Sequence, residues 1–292
     1  MVYNSLHFYS CLLMKLFYNL VLSGACMFLV TECRLKPITP DHSDKTLFPQ
    51  STLGYPTVVS NQDESIATEF LLEKLQFTLS YQTTRGISRW ASWHVQASDL
   101  GNFTAENTYL IDDALPLNFA RIRPTDYNNT GFDRGQLCPA GDRSSTENDN
   151  STTFVMTNII PQAPALKQGL WKDVEDYCRT KVKSGWEAYI YAGSFGDGGK
   201  GTSGEASSIA GGKISVPRRF WKVVLMLPAG ENDLDRITKE NVEVFAINMP
   251  NSQDQTTKDW KQYKVTVREV EGLTGLNFFS KLSQELQDQL EN

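Results

Sequence analysis

Apolar and polar residues alternate along Trp90-Ala91-Ser92-Trp93-His94-Val95. That period of two predicts a strand with Ala91, Trp93 and Val95 on one face and Trp90, Ser92 and His94 on the other. Thr153 to Ile160 is β-branched and apolar, which predicts another strand, ended by Pro161 and Pro164. The period then changes. Trp171, Val174, Cys178 and Val182 recur at helical spacing, and Gly185 stands where a helix would stop. Ala188 to Ala192, Phe220 to Leu227 and Val242 to Met249 predict three more strands. Ile66 to Leu75 has helical spacing and predicts a short helix, and Leu273, Phe278, Phe279 and Leu282 predict a closing helical segment. Asp126 to Arg143 is rich in turns. Ser194 to Gly212, rich in Gly and Ser, reads as a flexible hairpin connection, because it lacks the Lys-Ser/Thr ending of a phosphate-cradling loop. Strands do not alternate regularly with helices. The expected class is therefore α+β, with a central, largely antiparallel sheet and helices on its faces.

The ends of the chain have a different character. Leu16 to Val30 is mostly apolar and follows Lys15, the layout of an export leader, and it is short for a membrane span. Residues 1–33 read as a signal peptide or N-terminal anchor, with Met14 as a second candidate start. Cys26 and Cys33 are candidate lipid-attachment points. Residues 34–68 read as a linker, since Lys36 to Glu64 is rich in Pro, Ser, Thr and Asp. Residues 69–292 form the expected domain. An exported location, whether secreted, periplasmic or lipid-anchored, permits a bond between Cys138 and Cys178, and two buried thiols are the equal alternative. The 292 residues carry a net charge of −6, without the bulk basic footprint of a nucleic-acid binder, so any such binding must come from a local cleft.

The chemistry-bearing stretch is Asp133-Arg134-Gly135-Gln136-Leu137-Cys138-Pro139-Ala140-Gly141-Asp142-Arg143. It is followed by Thr157-Asn158-Ile159-Ile160-Pro161-Gln162 and by Trp171-Lys172-Asp173-Val174-Glu175. Further matches occur in order: Trp90 to Trp93, Glu175-Asp176-Tyr177-Cys178-Arg179, Ile214-Ser215-Val216-Pro217, Trp221-Lys222, Ala246-Ile247-Asn248 and Leu273-Thr274-Gly275. This series resembles the DNA/RNA non-specific endonuclease family of ββα-metal nucleases, above all the secreted nucleases of cyanobacteria, over residues 69 to 282. The resemblance implies a Mg²⁺- or Mn²⁺-dependent phosphodiesterase acting on DNA and RNA. In that chemistry a His takes a proton from the attacking water. An Asn ligates the metal ion, a helical Glu orients its waters, and an Arg holds the phosphate.

Carried over residue by residue, that pattern is incomplete. Gln136 stands where the family has the His, Lys167 where it has the metal-ligand Asn, and Ala105 where it commonly has an Arg. Asp133, Arg134, Glu175 and Arg179 are kept. A Gln side chain has no proton to exchange near neutral pH, and a protonated Lys has no lone pair for a metal. The expectation is an impaired or inactive copy, with Mg²⁺ or Mn²⁺ binding through Lys167 in doubt. Two alternatives stay open: an active nuclease using another general base, or a pseudoenzyme that binds nucleic acid, a phosphate ligand or a protein partner. Asp133 and Asp142 are candidate bases, and His94 reads as structural. Lys167 reads either as a tethered ammonium in the place of the hydrated metal ion, with Glu175 as its partner, or as a side chain that points to solvent beside a decayed site. Arg218, Arg219 and Lys222 read either as a basic cluster near phosphate or as a solvated edge.

Overall fold

The computed structural model describes residues 48–58, 69–104 and 108–292. The expected leader, its cysteines Cys26 and Cys33, and Ala105 lie outside them.

In chain order the strands are β1 (Thr57–Val58), β2 (Glu69–Glu73), β3 (Thr78–Gln82), β4 (Ile87–Val95), β5 (Asp133–Gln136), β6 (Ile159–Gln162), β7 (Trp186–Asp197), β8 (Gly199–Gly201), β9 (Gly204–Ala206), β10 (Ser208–Ile209), β11 (Ile214–Ser215), β12 (Pro217–Pro228), β13 (Glu243–Pro250), β14 (Lys264–Val265) and β15 (Leu276–Asn277). Five helices carry labels: α1 (Glu147–Thr152), α2 (Lys172–Lys183), α3 (Asp233–Arg236), α4 (Val267–Thr274) and α5 (Gln284–Leu290). The main sheet has the order β14-β13-β12-β7-β4-β3-β2, and every neighbouring pair in it is antiparallel. The expected α+β class is what the chain adopts.

The alternation along β4 sorts its side chains as expected. Ala91, Trp93 and Val95 join one core layer, with Leu137, Cys138, Ile160, Trp171, Val174 and Cys178 from the elements laid over that face. Trp90 joins the other layer, with Tyr191, Trp221, Val267, Val270, Phe278 and Phe279. Burying each such side chain stabilises the fold by about 1.5–3 kcal/mol. The sheet is thus covered on both faces, and the first layer carries a β-β-α unit made of β5, β6 and α2.

Five expectations change. The described part of Ile66 to Leu75 is not helical: Glu69–Glu73 pairs along the whole of β3 as an edge strand, and sheet pairing outweighs the helical spacing. Thr153 to Ile160 is strand only at its end. Met156–Asn158 is a 3₁₀ turn, and Pro161 lies inside β6. Phe278 and Phe279 are not helical, since Phe279 has φ 50 and the backbone turns there between α4 and α5. Ser194 to Gly212 contains the hairpin β8–β9 and the strand β10, which pairs with β11, rather than one open loop. The stretch read as linker also enters the fold: Leu53 is fully buried, and β1 pairs with β15. Cys138 and Cys178 are both buried and free, and burial pushes both thiols above the usual range.

Candidate nucleic-acid cleft

Gly135 explains how β5 and β6 can carry a site. A Cβ there would lie 2.5 Å from Gln162 Oε1 and 2.7 Å from Gln162 Cβ, so only glycine lets the β6 side chain cross β5. Gly141 has the same use. A Cβ there would lie 2.9 Å from Arg179 Nη1, so the chain passes directly beneath the guanidinium. After β6, a helical turn at Pro164–Leu166 runs into a π-type turn at Lys167–Trp171, broken at Gly169 (φ −106, ψ −113), and then into α2. Short π turns inside helices often mark functional positions.

Gln136, at the end of β5, is half-buried and fixed. Its Nε2 donates to Thr153 Oγ1 at 2.9 Å and to Thr153 O at 3.1 Å, and its Oε1 accepts from the Ala140 N–H at 3.4 Å. Asn158 is wholly structural. Its Nδ2 donates to Cys138 O and Thr153 O at 2.8 Å each, and its Oδ1 accepts from the Cys138 N–H at 3.0 Å. Lys167 is not the partner of Glu175. Its Nζ lies 3.8 Å from Asp133 Oδ2, an oxygen that also accepts from Gln168 Nε2 at 3.1 Å. The break at Gly169 explains the difference, since Lys167 does not continue the face of α2 on which Glu175 stands.

Glu175 instead faces Lys222, at 3.8 Å, and Arg179, at 4.0 Å. Lys222 is 1% exposed. Its Nζ sits 4.2 Å from the Trp171 ring centroid and 5.6 Å from that of Trp93, which shares the load of a buried cation with the carboxylate. Burial raises the Glu175 carboxyl to about 7, with Asp142 and Asp176 adding to the rise and Lys222 and Arg179 opposing it. Arg179 donates to Asp142 Oδ1 at 2.8 Å and to Asp176 Oδ1 at 2.6 Å. Asp142 also accepts from Trp93 Nε1 at 2.9 Å, so both its oxygens are engaged and it serves as an anchor for Arg179 rather than as a free base. Arg134 forms no ion pair among the described residues. Its guanidinium donates to Pro124 O and Asn128 Oδ1 and lies over the rings of Tyr109 and Tyr127.

Two hollows meet here. One, of about 290 Å³, is lined by Gln136, Gly141, Gln162, Lys167, Trp171, Glu175 and Arg179 among others. The other, of about 440 Å³, is lined by Tyr109, Pro124, Phe132, Asp133, Arg134 and Lys167. Lys167 borders both. The elements therefore bring Asp133, Arg134, Gln136, Lys167, Glu175 and Arg179 to one cleft.

A profile of the DNA/RNA non-specific endonucleases matches residues 56–285. The chain belongs to that family. Like the family's other members, this endonuclease-family chain can be set beside known relatives. It is 39% identical to a nuclease of Nostoc sp. (strain PCC 7120 / SAG 25.82 / UTEX 2576) over 223 residues, 76% of this chain and 78% of that one. It is 29% identical to nuclease C1 of Cunninghamella echinulata var. echinulata over 228 residues, 75% of this chain and 86% of that one. A chain in a crystal structure of an EndoG/EndoGI complex superposes with a TM-score of 0.65 at 22% identity, covering 82% of this chain and 93% of that one, a likeness of fold.

Within this family member, sequence reasoning missed the burial of Lys222 beside Glu175, the unpartnered side chain of Gln162 and the anchoring role of Asp142. Lys222 was legible as an anomaly: with Phe220 and Val224 it shares the apolar face of a central strand. Of the two readings of Arg218, Arg219 and Lys222, a basic cluster near phosphate or a solvated edge, neither covers all three residues. Arg218 lines a separate surface hollow, Arg219 binds Asn248, and Lys222 is buried beside Glu175. His94 is on the opposite face, its Nε2 2.9 Å from Glu187 Oε2. His94, Glu187 and Asp233 have possible ligand atoms within 4.8 Å of one another, but Arg236 already bridges the two carboxylates.

Proposed function

We propose that this protein binds the phosphate backbone of nucleic acid in the cleft and has lost most or all of the family's phosphodiester cleavage. The observation that carries this reading is Gln136. At the position the resemblance gives to the general base stands a carboxamide, tied by its Nε2 to Thr153. Replacing a general base by a group that cannot accept a proton removes about 10²–10⁴-fold in rate. The donor set supports the same reading. A divalent ion needs oxygen or imidazole ligands with free lone pairs. The residues near the expected metal position are the Lys167 ammonium, already beside Asp133, and a Glu175 carboxyl flanked by Lys222 and Arg179. These residues do not fit a hydrated Mg²⁺ or Mn²⁺.

The test is a zymogram of the full chain with Mg²⁺ or Mn²⁺, beside DNA and RNA binding measured against salt. The expected outcome is binding that weakens with salt and no cleavage above background. The triple reversion Gln136→His, Lys167→Asn, Ala105→Arg is expected to bring back metal-dependent cutting. Efficient cutting by the parent would sink the proposal.

A second reading is favoured by one observation. Glu175 lines the same hollow as Gln136, and its carboxyl is raised to about 7, in the range of a working base. On that reading the parent cuts slowly, its rate rises with pH through about 7, and Glu175→Gln abolishes it. The apolar run Leu16 to Val30, read as an export leader, supports a location outside the cytosol. Cell fractionation that finds the full-length, unprocessed chain in the cytosol would remove that part.

A further inference from the structure

Lys167 borders both hollows, and its only ion pair among the described residues is the 3.8 Å contact with Asp133. Its side chain is 32% exposed. Exposed pairs of this kind contribute about 1 kcal/mol or less, so an arriving phosphate can compete for the ammonium. A second observation points at a ligand. Gln162 is 1% exposed, lines the smaller hollow, and has no hydrogen-bond partner at either Oε1 or Nε2. Trp171 Nε1, in the lining of the same hollow, is unpartnered as well. Buried polar groups are paired as a rule, and unpaired donors on residues that line a cavity are suited to an acceptor-rich guest. Arg179 lies on the rim, held by Asp142, and Arg134 stands in the adjoining hollow without a carboxylate partner among the described residues.

We infer that the Lys167 ammonium takes the place of a metal ion, so that the cleft binds a phosphate group without any divalent cation. Lys167 supplies the compensating charge at the junction of the hollows. Arg179 and Gln162 Nε2 donate to the phosphate oxygens, and Arg134 meets the next phosphate along the strand. The guest is a phosphodiester or a phosphate monoester. This rests on the binding function proposed above, and it adds that binding is independent of metal.

The experiment uses the full chain in excess EDTA, with two probes: inorganic phosphate and a short single-stranded oligonucleotide. Both are expected to bind, and adding Mg²⁺ is expected to leave the affinities unchanged. Lys167→Met is expected to weaken both by about tenfold, the loss of one charge-assisted contact. It should also lower the salt slope for the oligonucleotide by about one. Lys183→Met, an equal change of charge at the far end of α2, serves as the control and is expected to leave binding unaltered. Gln162→Met is expected to weaken binding several-fold without lowering the melting temperature, because it removes buried polar atoms that have no partner. Binding that vanishes in EDTA, or that tightens markedly with Mg²⁺, overturns the inference. So does equal behaviour of Lys167→Met and Lys183→Met, or no phosphate binding by the parent. Cleavage by the parent in Mg²⁺ would overturn the proposed function alone and leaves these EDTA measurements to decide the inference.

Discussion

Trp93 and His94 are neighbours on β4, yet they face two different charged centres. On the Trp93 face, Asp142, Arg179, Glu175 and Lys222 form a chain of charges that ends at an open hollow. On the His94 face, Glu187, Asp233 and Arg236 form a centre of similar composition that closes on itself. There Glu187 also accepts from the Gly230 N–H, and Asp233 from the Tyr189 hydroxyl. The second centre includes a histidine, the residue the family's chemistry calls for. It lies on the wrong side of a seven-stranded sheet to use it. A residue inventory cannot tell these centres apart. The period-two alternation of one strand does, together with the hollow that opens beside Glu175 and Arg179.

The contrast can be attacked through its charges, beginning with the largest effect. The Glu175 carboxyl is raised from 4.5 to about 7, so folding takes up a proton between those values. The stability tied to that proton is whole below pH 4.5 and is lost as pH rises through 7. Glu175→Gln should abolish this dependence and be the more stable protein at pH 8 by roughly 3 kcal/mol, read from urea unfolding at pH 5 and pH 8. A less stable variant at pH 8 would mean that attraction to Lys222 outweighs desolvation. Next, Arg236→Ala removes the cation that bridges Glu187 and Asp233. It should cost about 2–3 kcal/mol in stability and leave oligonucleotide affinity alone. A loss of affinity in a folded Arg236→Ala protein would show that the two centres are coupled through the sheet.

Lys222→Met keeps the stem packed against Trp171 and Trp93 and deletes the ammonium. It should cost about 1–2 kcal/mol at pH 8 and less at pH 5, where Glu175 carries a proton. Equal losses at the two pH values would deny the pairing. The smallest effect belongs to His94→Gln, which should change phosphate binding, and the cutting by the triple reversion, by less than about twofold, since a settled far-face contact does not reach the cleft.

Much of this was legible in the sequence, for reasons that differ from residue to residue. The faces of β4, the span of α2 and the positive φ of Gly185 follow from patterns of period two and 3.6 and from the needs of a helix end. The gathering of Asp133, Arg134, Gln136, Lys167, Glu175 and Arg179 came from ordered motif matches, not from periodicity. What escaped depends on contacts between distant segments. The edge pairing of Glu69–Glu73, the side-chain bonds that curl Thr153 to Asn158 away from strand, and the φ of Phe279 are set by tertiary packing. The partner of Lys167 escaped for a related reason: the counting of helical positions from Lys167 to Glu175 fails once Gly169 leaves the helical region.

Gly135 has a last consequence. It clears room for Gln162, as Gly141 does for Arg179, and Asn158 ties together the loop behind both. These residues answer to the shape of the backbone and face no demand from the reaction. Gln136 and Lys167 are partly exposed at the rim, and neither fills a place where the backbone leaves room for no side chain. Under relaxed selection such a motif erodes unevenly. Replacing its glycines or its inner Asn is expected to damage folding, while a change at the rim is expected to leave the fold intact. The part of a nuclease signature most dependable for finding relatives is then the part least informative about turnover, and a motif of this build can outlive the reaction it is used to recognise.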